Sequence, residues 1–283
     1  MTARELVTRA KNLPPVSYAA LKLVSLLDQS SVSNEEVVQV LKCDNVLTAK
    51  LLRACNSPYF GLAEPVSSVD QAVFLLGHQQ ILHIVLTLAF GSAMVVPLSG
   101  YAVEANELWR HSLITATAAE AVVNEFNDLN VEPSVAFTVG LLHDIGKLVL
   151  NQVLTPDLQA AIREKIEQEK MARVEAETLV VGTDHSDVGA CLLQEWHLPD
   201  DIVEAVAHHH APVLKPRPRI SVVTHLANCL AHLAGSAPGW DGYAIRVDDA
   251  VVEKFKITGD QLDTLVITVR DSFEKVEQFM NMG

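Results

Sequence analysis

The chain has 283 residues, 49% of them hydrophobic and 20% charged, which excludes wholesale disorder and allows one large compact domain or two small ones. Its 21 Lys and Arg stand against 35 Asp and Glu, a formal net charge of −14 that disfavours general binding to nucleic-acid backbones. Cys43, Cys55, Cys191 and Cys229 lie far apart with no C-x-x-C, and MTARELVTRAKNLPP has no apolar run behind its charges, so the expectation is core thiols, no signal peptide and a reducing cytoplasm.

Taken in chain order, helix signals recur and strand signals are scarce. Ser33-Asn34-Glu35-Glu36 has the form of a capping box, which predicts a helix through Val37, Val38 and Leu41. After Asp44-Asn45, the recurrence of Leu47, Leu51 and Cys55 lines one face of a second helix, and the turn formers of Asn56 to Gly61 end it. A third helix is expected after Ser67 or Ser68, burying Ala72, Val73 and Leu76. The run from Ile81 to Val96 is apolar almost all round. It is shorter than the roughly 20 residues of a membrane span, carries His83 and Ser92 and stops at Pro97, so it is read as the core helix of an N-terminal bundle.

An Ala-rich helix is expected from Glu104 to Phe126, its acidic start suited to the positive end of the helix dipole. Pro133 fits the first turn of the next helix, which should run through GLLHDIGKLVL. Ser236 to Tyr243 is the clearest loop. Thr258-Gly259-Asp260-Gln261 is again a capping box, followed by an amphipathic helix with Leu262, Leu265, Val266, Val269, Phe273, Val276 and Phe279 on one face. No fixed-period repeat occurs, and the reading is all-α with a dozen or so helices.

Eleven histidines carry the chemistry. His143 and Asp144 sit among leucines that want the interior, where a carboxylate without a partner is costly. Lys147, one turn on, can face the same side and meet an anionic oxygen. His111, His185 and the triplet His208-His209-His210 come from separate stretches. Imidazole with carboxylate suits Fe, Mn, Zn or Co, and Glu107, one turn before His111, could join the set. On the residues alone, a polar pair of His143 with Asp144, with Lys147 solvated, stands beside the metal reading. His111 and His185 taken singly read as ordinary helix histidines. His208 reads as a surface residue or a support to the ligands. His225 and His232 flank Asn228 on one face, where packing is the plainer account, and His78, His83 and His197 have no assigned partner.

GLLHDIGK, with WRHS upstream, the H-x-x-x-G of His185 to Gly189 and the later histidine pair, resembles the HD superfamily of metal-dependent phosphohydrolases. NLPPVSYAALKLVSLL, LKCDNVLTAKLLRACNSPYFG and AVFLLG resemble the HD-related output domain, or HDOD, family of bacterial signalling proteins, so that the likeness covers roughly residues 10 to 235. The resemblance implies a two-lobed helical fold within one unit of residues 1–283: an N-terminal bundle over 10–97, an HD-like helical core over 98–235, and a C-terminal loop and amphipathic helix over 236–283.

By position, the resemblance makes His111, His143, Asp144, His185, His209 and His210 the metal ligands, with Asp144 and Lys147 the catalytic pair of an enzyme. The last HD ligand, normally an Asp, falls on Asn228, a neutral and weaker ligand. In APVLKPRPRI no D-G-x-G-Y-P follows the histidines, so nothing supports cyclic di-GMP hydrolysis. The expected function is a signalling output or interaction module with a degenerate HD site, acting through a regulatory protein or small ligand, with neither nucleic acid nor membrane as partner. The alternative is a metal-dependent phosphohydrolase.

Overall fold

The computed structural model describes residues 1–11, 13, 16–27, 33–126, 129–212, 219–239 and 247–280. Asn12, Pro14 and Pro15 of the first HDOD-like segment, residues 213–218 of APVLKPRPRI and residues 240–243 of the expected loop lie outside the described set. The fold is all-α. Among the described residues the one extended pairing is an isolated bridge between Leu98 and Val103.

After α1 (Ala3–Arg9) and α2 (Tyr18–Leu26), the caps fall where the sequence places them. Ser33 and Glu36 close a reciprocal capping box on α3 (Asn34–Lys42), which buries Val37, Val38 and Leu41. Asp44 caps α4 (Asn45–Cys55), which buries Leu47, Leu51, Ala54 and Cys55. The turn after α4 is held by Asn56, whose side chain both donates to and accepts from the backbone of Val66. Ser68 then caps α5 (Val69–Met94), a helix broken at Gly77, where φ is 79° and only glycine sits without strain. Ala72 and Val73 are buried as expected, but Leu76 is only half-buried because it adjoins that break. Beyond the break the helix is covered on nearly every side, from Ile81 to Met94.

A 3-10 turn, Ser99–Tyr101, leads to α6, which begins at Glu107 rather than Glu104 and ends at Glu125. Pro133 occupies the first turn of α7 (Pro133–Leu142). The segment GLLHDIGKLVL is not one helix: α7 stops at Leu142, and α8 (Gly146–Val153) starts after a turn at His143, Asp144 and Ile145. Both α5 and the stretch Pro133–Val153 are long and apolar enough to cross a membrane by length and composition alone, and each is more than half buried against other helices.

Next come α9 (Pro156–Glu167), α10 (Arg173–Val181), α11 (His185–Glu195), α12 (Asp200–Ala207), α13 (Arg219–Leu233) and α14 (Asp249–Phe255). The Thr258 capping box opens α15 (Gly259–Asp271), and the expected continuation is a separate α16 (Phe273–Met280) after a break at Ser272. Leu265, Val269 and Val276 are buried on its inner face, and the side chain of Phe279 lies outside the described set.

The helices α2 to α5 pack on one another, and α5 continues onto α6 and α7. Around α6 and α7 gather α12, α13, α15 and α16, while α1 folds back on α8 and α11. One contiguous apolar core runs through all of it. Cys55 and Cys229 are core thiols as expected, whereas Cys43 is exposed at the end of α3. His83 belongs to this packing: it stacks on Phe137 at 4.0 Å, and its Nε2 lies 3.5 Å from Glu120 Oε1. Burial pushes that imidazole down to about 4 and the Glu120 carboxyl up to about 7.

Candidate metal centre

Four chain segments deliver histidines to one point, three of them from helix ends. Asp184 caps α11 by accepting from the amides of Ser186 and Asp187, which sets His185 in the first turn. His143 and His209 follow the last turns of α7 and α12, and each ring Nδ1–H donates back to the carbonyl three residues earlier, Gly140 O at 2.8 Å and Val206 O at 2.7 Å. Each thereby satisfies a carbonyl that a helix terminus leaves unpaired, and each turns its Nε2 away from the helix. His111, in the interior of α6, donates Nδ1–H to Ser236 O at 2.9 Å. His185 donates its Nδ1–H to Glu177 Oε2 at 2.7 Å.

In its neutral form each of these rings has its lone pair on Nε2, and all four Nε2 atoms point toward the Asp144 carboxylate. Oδ2 is 3.4 Å from His143 Nε2 and 3.7 Å from His111 Nε2, while Oδ1 is 3.4 Å from His185 Nε2 and 4.0 Å from His209 Nε2. His210 Nε2 lies 2.9 Å from His185 Nε2. Among the described residues, His143 Nε2, His209 Nε2 and Asp144 Oδ1 are buried with no hydrogen bond. Acceptors facing acceptors in a dry interior repel unless a cation lies between them. The ligand atoms fall into two groups, His111 with His143 and Asp144, and His185 with His209 and His210, each within 4.8 Å. Nitrogen and carboxylate donors in this arrangement fit a divalent metal.

The six candidate ligands named from the sequence thus come together. Lys147 joins them as a buried group: its Nζ is 2.6 Å from Asp144 Oδ2 and its side chain is 3% exposed, which replaces the solvated lysine of the polar-pair reading. Asn228 is also present, its Oδ1 3.1 Å from His111 Nε2. With His111 neutral and its proton on Nδ1, this contact calls for the half-turn of the amide that lets its N–H donate to Nε2. Glu107 does not join. It is exposed and accepts from the Glu104 amide at 2.7 Å, a helix-start role. His225 is a strut: Nδ1 meets His209 O at 2.9 Å, and Nε2 accepts from the Asp248 amide at 3.1 Å. His232 packs its ring 4.8 Å from that of His111, and His208 ends α12.

Burial would raise the Asp144 carboxyl, but His143 and Lys147 beside it hold it well below the usual carboxylate range. Burial drives His111, His209 and His210 well below the usual imidazole value. In His185, burial acts the same way and the Glu177 carboxylate outweighs it, leaving that imidazole raised.

Sequence reasoning missed Glu177, Arg173 and Tyr101. It also missed why glycine stands at 146. A methyl group there would collide with the His185 carbonyl and lie 2.6 Å from the Gly189 amide nitrogen, both of them backbone that cannot swing aside. Gly146→Ala should therefore part α8 from α11 and destabilise the protein by roughly 1–3 kcal/mol or more, read as the midpoint shift in urea unfolding. An unshifted midpoint would show that the two helices do not need this close approach.

A family model described as the HDOD domain matches residues 13–212. A curated relative from Treponema pallidum, described as an uncharacterized protein, is 22% identical over 276 residues, covering 96% of this chain and 52% of its own length. The chain thus spans about half the length of that relative. Among solved structures, an HDOD domain protein of unknown function from Geobacter sulfurreducens superposes with a TM-score of 0.73 at 24% identity, covering 97% of this chain and 96% of its own. A candidate signal transduction protein from Marinobacter aquaeolei gives 0.80 at 21%, over 98% of this chain and 64% of its own. A candidate phosphohydrolase from Shewanella amazonensis gives 0.70 at 22%, over 98% and 97%. These likenesses establish a shared fold.

Proposed function

The chain belongs to the HDOD family, and from that premise we propose that it is a signalling or interaction module whose buried HD-type centre holds a divalent metal and which acts through a regulatory partner. The reading rests above all on how the centre is closed. His111, His143, Asp144, His185 and His209 are each at most 1% exposed, Lys147 is 3% and Asn228 4%, and among the six candidate ligands His210 alone is only partly buried. A centre so covered suits retention of a metal better than exchange of substrate and product. Asn228, in place of a carboxylate, removes one negative charge from the set that would orient a metal-bound water.

His111, His143, Asp144, His185, His209 and His210 would hold Fe, Mn, Zn or Co. Residues 1–283 act as one unit in this reading, whose helical surface engages a signalling protein or small ligand. Neither nucleic acid nor membrane is the partner, since the charge of −14 opposes both phosphate backbones and anionic lipid. Four free thiols suit a cytoplasmic location.

A second reading, hydrolysis of a phosphoester, is favoured by the convergence of all six ligand candidates on one point. A bound divalent metal would supply a water of lowered pKa. Lys147 would have to leave Asp144 to meet a phosphoryl oxygen, and the buried imidazoles would exclude bulk water. Protein purified without chelator should contain stoichiometric transition metal by elemental analysis and leave bis(p-nitrophenyl) phosphate intact with added Mn or Fe. Steady turnover abolished by Asp144→Ala would replace the first reading with the second, and full-length protein that takes up no metal would remove the metal from both.

A further inference from the structure

Three of the four inward imidazoles are held by neutral carbonyls, those of Ser236, Gly140 and Val206. The fourth is held by a carboxylate. Glu177, on α10, is fully buried, and both of its oxygens are engaged: Oε2 accepts from His185 Nδ1 at 2.7 Å and from the His185 amide at 2.9 Å, while Oε1 accepts from Tyr101 Oη at 2.8 Å. Arg173 completes the setting, with Nη1 3.7 Å from Oε1 and its guanidinium 4.3 Å above the Tyr101 ring. A carboxylate behind an imidazole fixes its tautomer and strengthens its other nitrogen as a donor, and losing such a partner typically weakens metal binding about 10- to 100-fold.

Resting on the metal-centre reading above, we infer that Glu177 is a positioning residue that makes the group of His185, His209 and His210 the tighter of two metal subsites. Among the described residues, the His111, His143 and Asp144 group has no such carboxylate behind its imidazoles, whose Nδ1 atoms meet Ser236 O and Gly140 O. Its Asp144 oxygen is shared with the Lys147 ammonium at 2.6 Å, and His111 Nε2 is engaged by the Asn228 side-chain amide at 3.1 Å. Both differences act in the same direction. Tyr101 brings the 3-10 turn before α6 into the arrangement, so the turn that joins the two parts of the fold ends on the support of His185.

The test is a cobalt(II) titration of the full chain after chelator treatment, followed by visible absorption. The wild type should fill in two steps. Glu177→Gln should weaken the first step about 10- to 100-fold and alter its spectrum, and His111→Ala should weaken only the second. Tyr101→Phe, which leaves the carboxylate in place, should give a smaller loss in the first step and covers the case in which the Gln variant fails to fold. A folded Glu177→Gln variant with an unchanged first step overturns the inference. Nitrogen NMR of the metal-free protein separates this from the underlying reading: His185 should carry its proton on Nδ1. A neutral ring protonated on Nε2 alone defeats the role of Glu177 even if cobalt binds, whereas a wild type that takes up no cobalt defeats the metal centre and the subsite ranking with it.

Discussion

Asp144→Ala should lower the stability of the metal-free protein by about 3–5 kcal/mol, far more than removal of a small polar side chain would suggest. The reason is what it leaves behind. Lys147 Nζ sits 2.6 Å from Asp144 Oδ2, with both side chains at most 3% exposed, so truncating the acid takes its nearest carboxylate away from a buried ammonium. Breaking one side of a buried ion pair is much worse than removing both sides. The double variant Asp144→Leu with Lys147→Met should therefore regain most of the loss, since it replaces the pair by apolar groups of similar size. Neither variant should bind metal, because both lack the carboxylate on which four imidazole nitrogens converge. Chemical unfolding in the presence of a chelator reads the first effect, and metal content reads the second. A single variant as stable as the wild type would mean that the Lys147 ammonium does not depend on the Asp144 carboxylate.

That expectation depends on a buried Lys147, which the sequence left undecided. A lysine three residues after an aspartate reads equally as a solvated face or as an internal partner, since spacing places both on one side of a helix without saying what covers that side. The candidate ligands were legible, because His111, His143, Asp144, His185, His209 and His210 lie in segments whose pattern resembles a family. The caps at Ser33, Asp44, Ser68 and Thr258 were legible for a local reason: each depends on residues within one turn.

The turn at His143 to Ile145 was hidden, since leucines and valines flank it on both sides and no periodicity marks a break in the run. Glu177 was hidden more deeply. In RVEAETLVV it looks like any helix-surface acid, and its three partners come from the turn before α6, from its own helix and from the start of α11. Only assembled packing distinguishes it from Glu175, which is exposed two residues earlier.

Asn228→Asp should split the stability of the protein in opposite directions, depending on whether metal is present. Without metal, a new carboxylate 4% exposed would lie beside the unprotonated nitrogen of His111, which itself lies 3.7 Å from Asp144 Oδ2. The amide N–H that satisfies that nitrogen would be gone, and two carboxylates would share one buried ammonium, so the melting temperature should fall. With a divalent metal the same carboxylate becomes a charged ligand to the His111, His143 and Asp144 group, and affinity there should rise on the order of 10- to 100-fold. Ligand that binds only the folded state raises stability in proportion to the logarithm of that affinity, so the loaded variant should melt above the loaded wild type.

Melting curves with chelator and with saturating Mn or Co give both signs in one experiment. Equal shifts in the two conditions would place residue 228 outside the metal's reach. The same variant also decides how far the amide limits chemistry. Hydrolysis of bis(p-nitrophenyl) phosphate by Asn228→Asp, but not by the wild type, would identify the missing charge as what keeps this centre from turnover. Activity already present in the wild type would remove Asn228 as an obstacle and leave the closed cover of the site as the feature that a hydrolase must open.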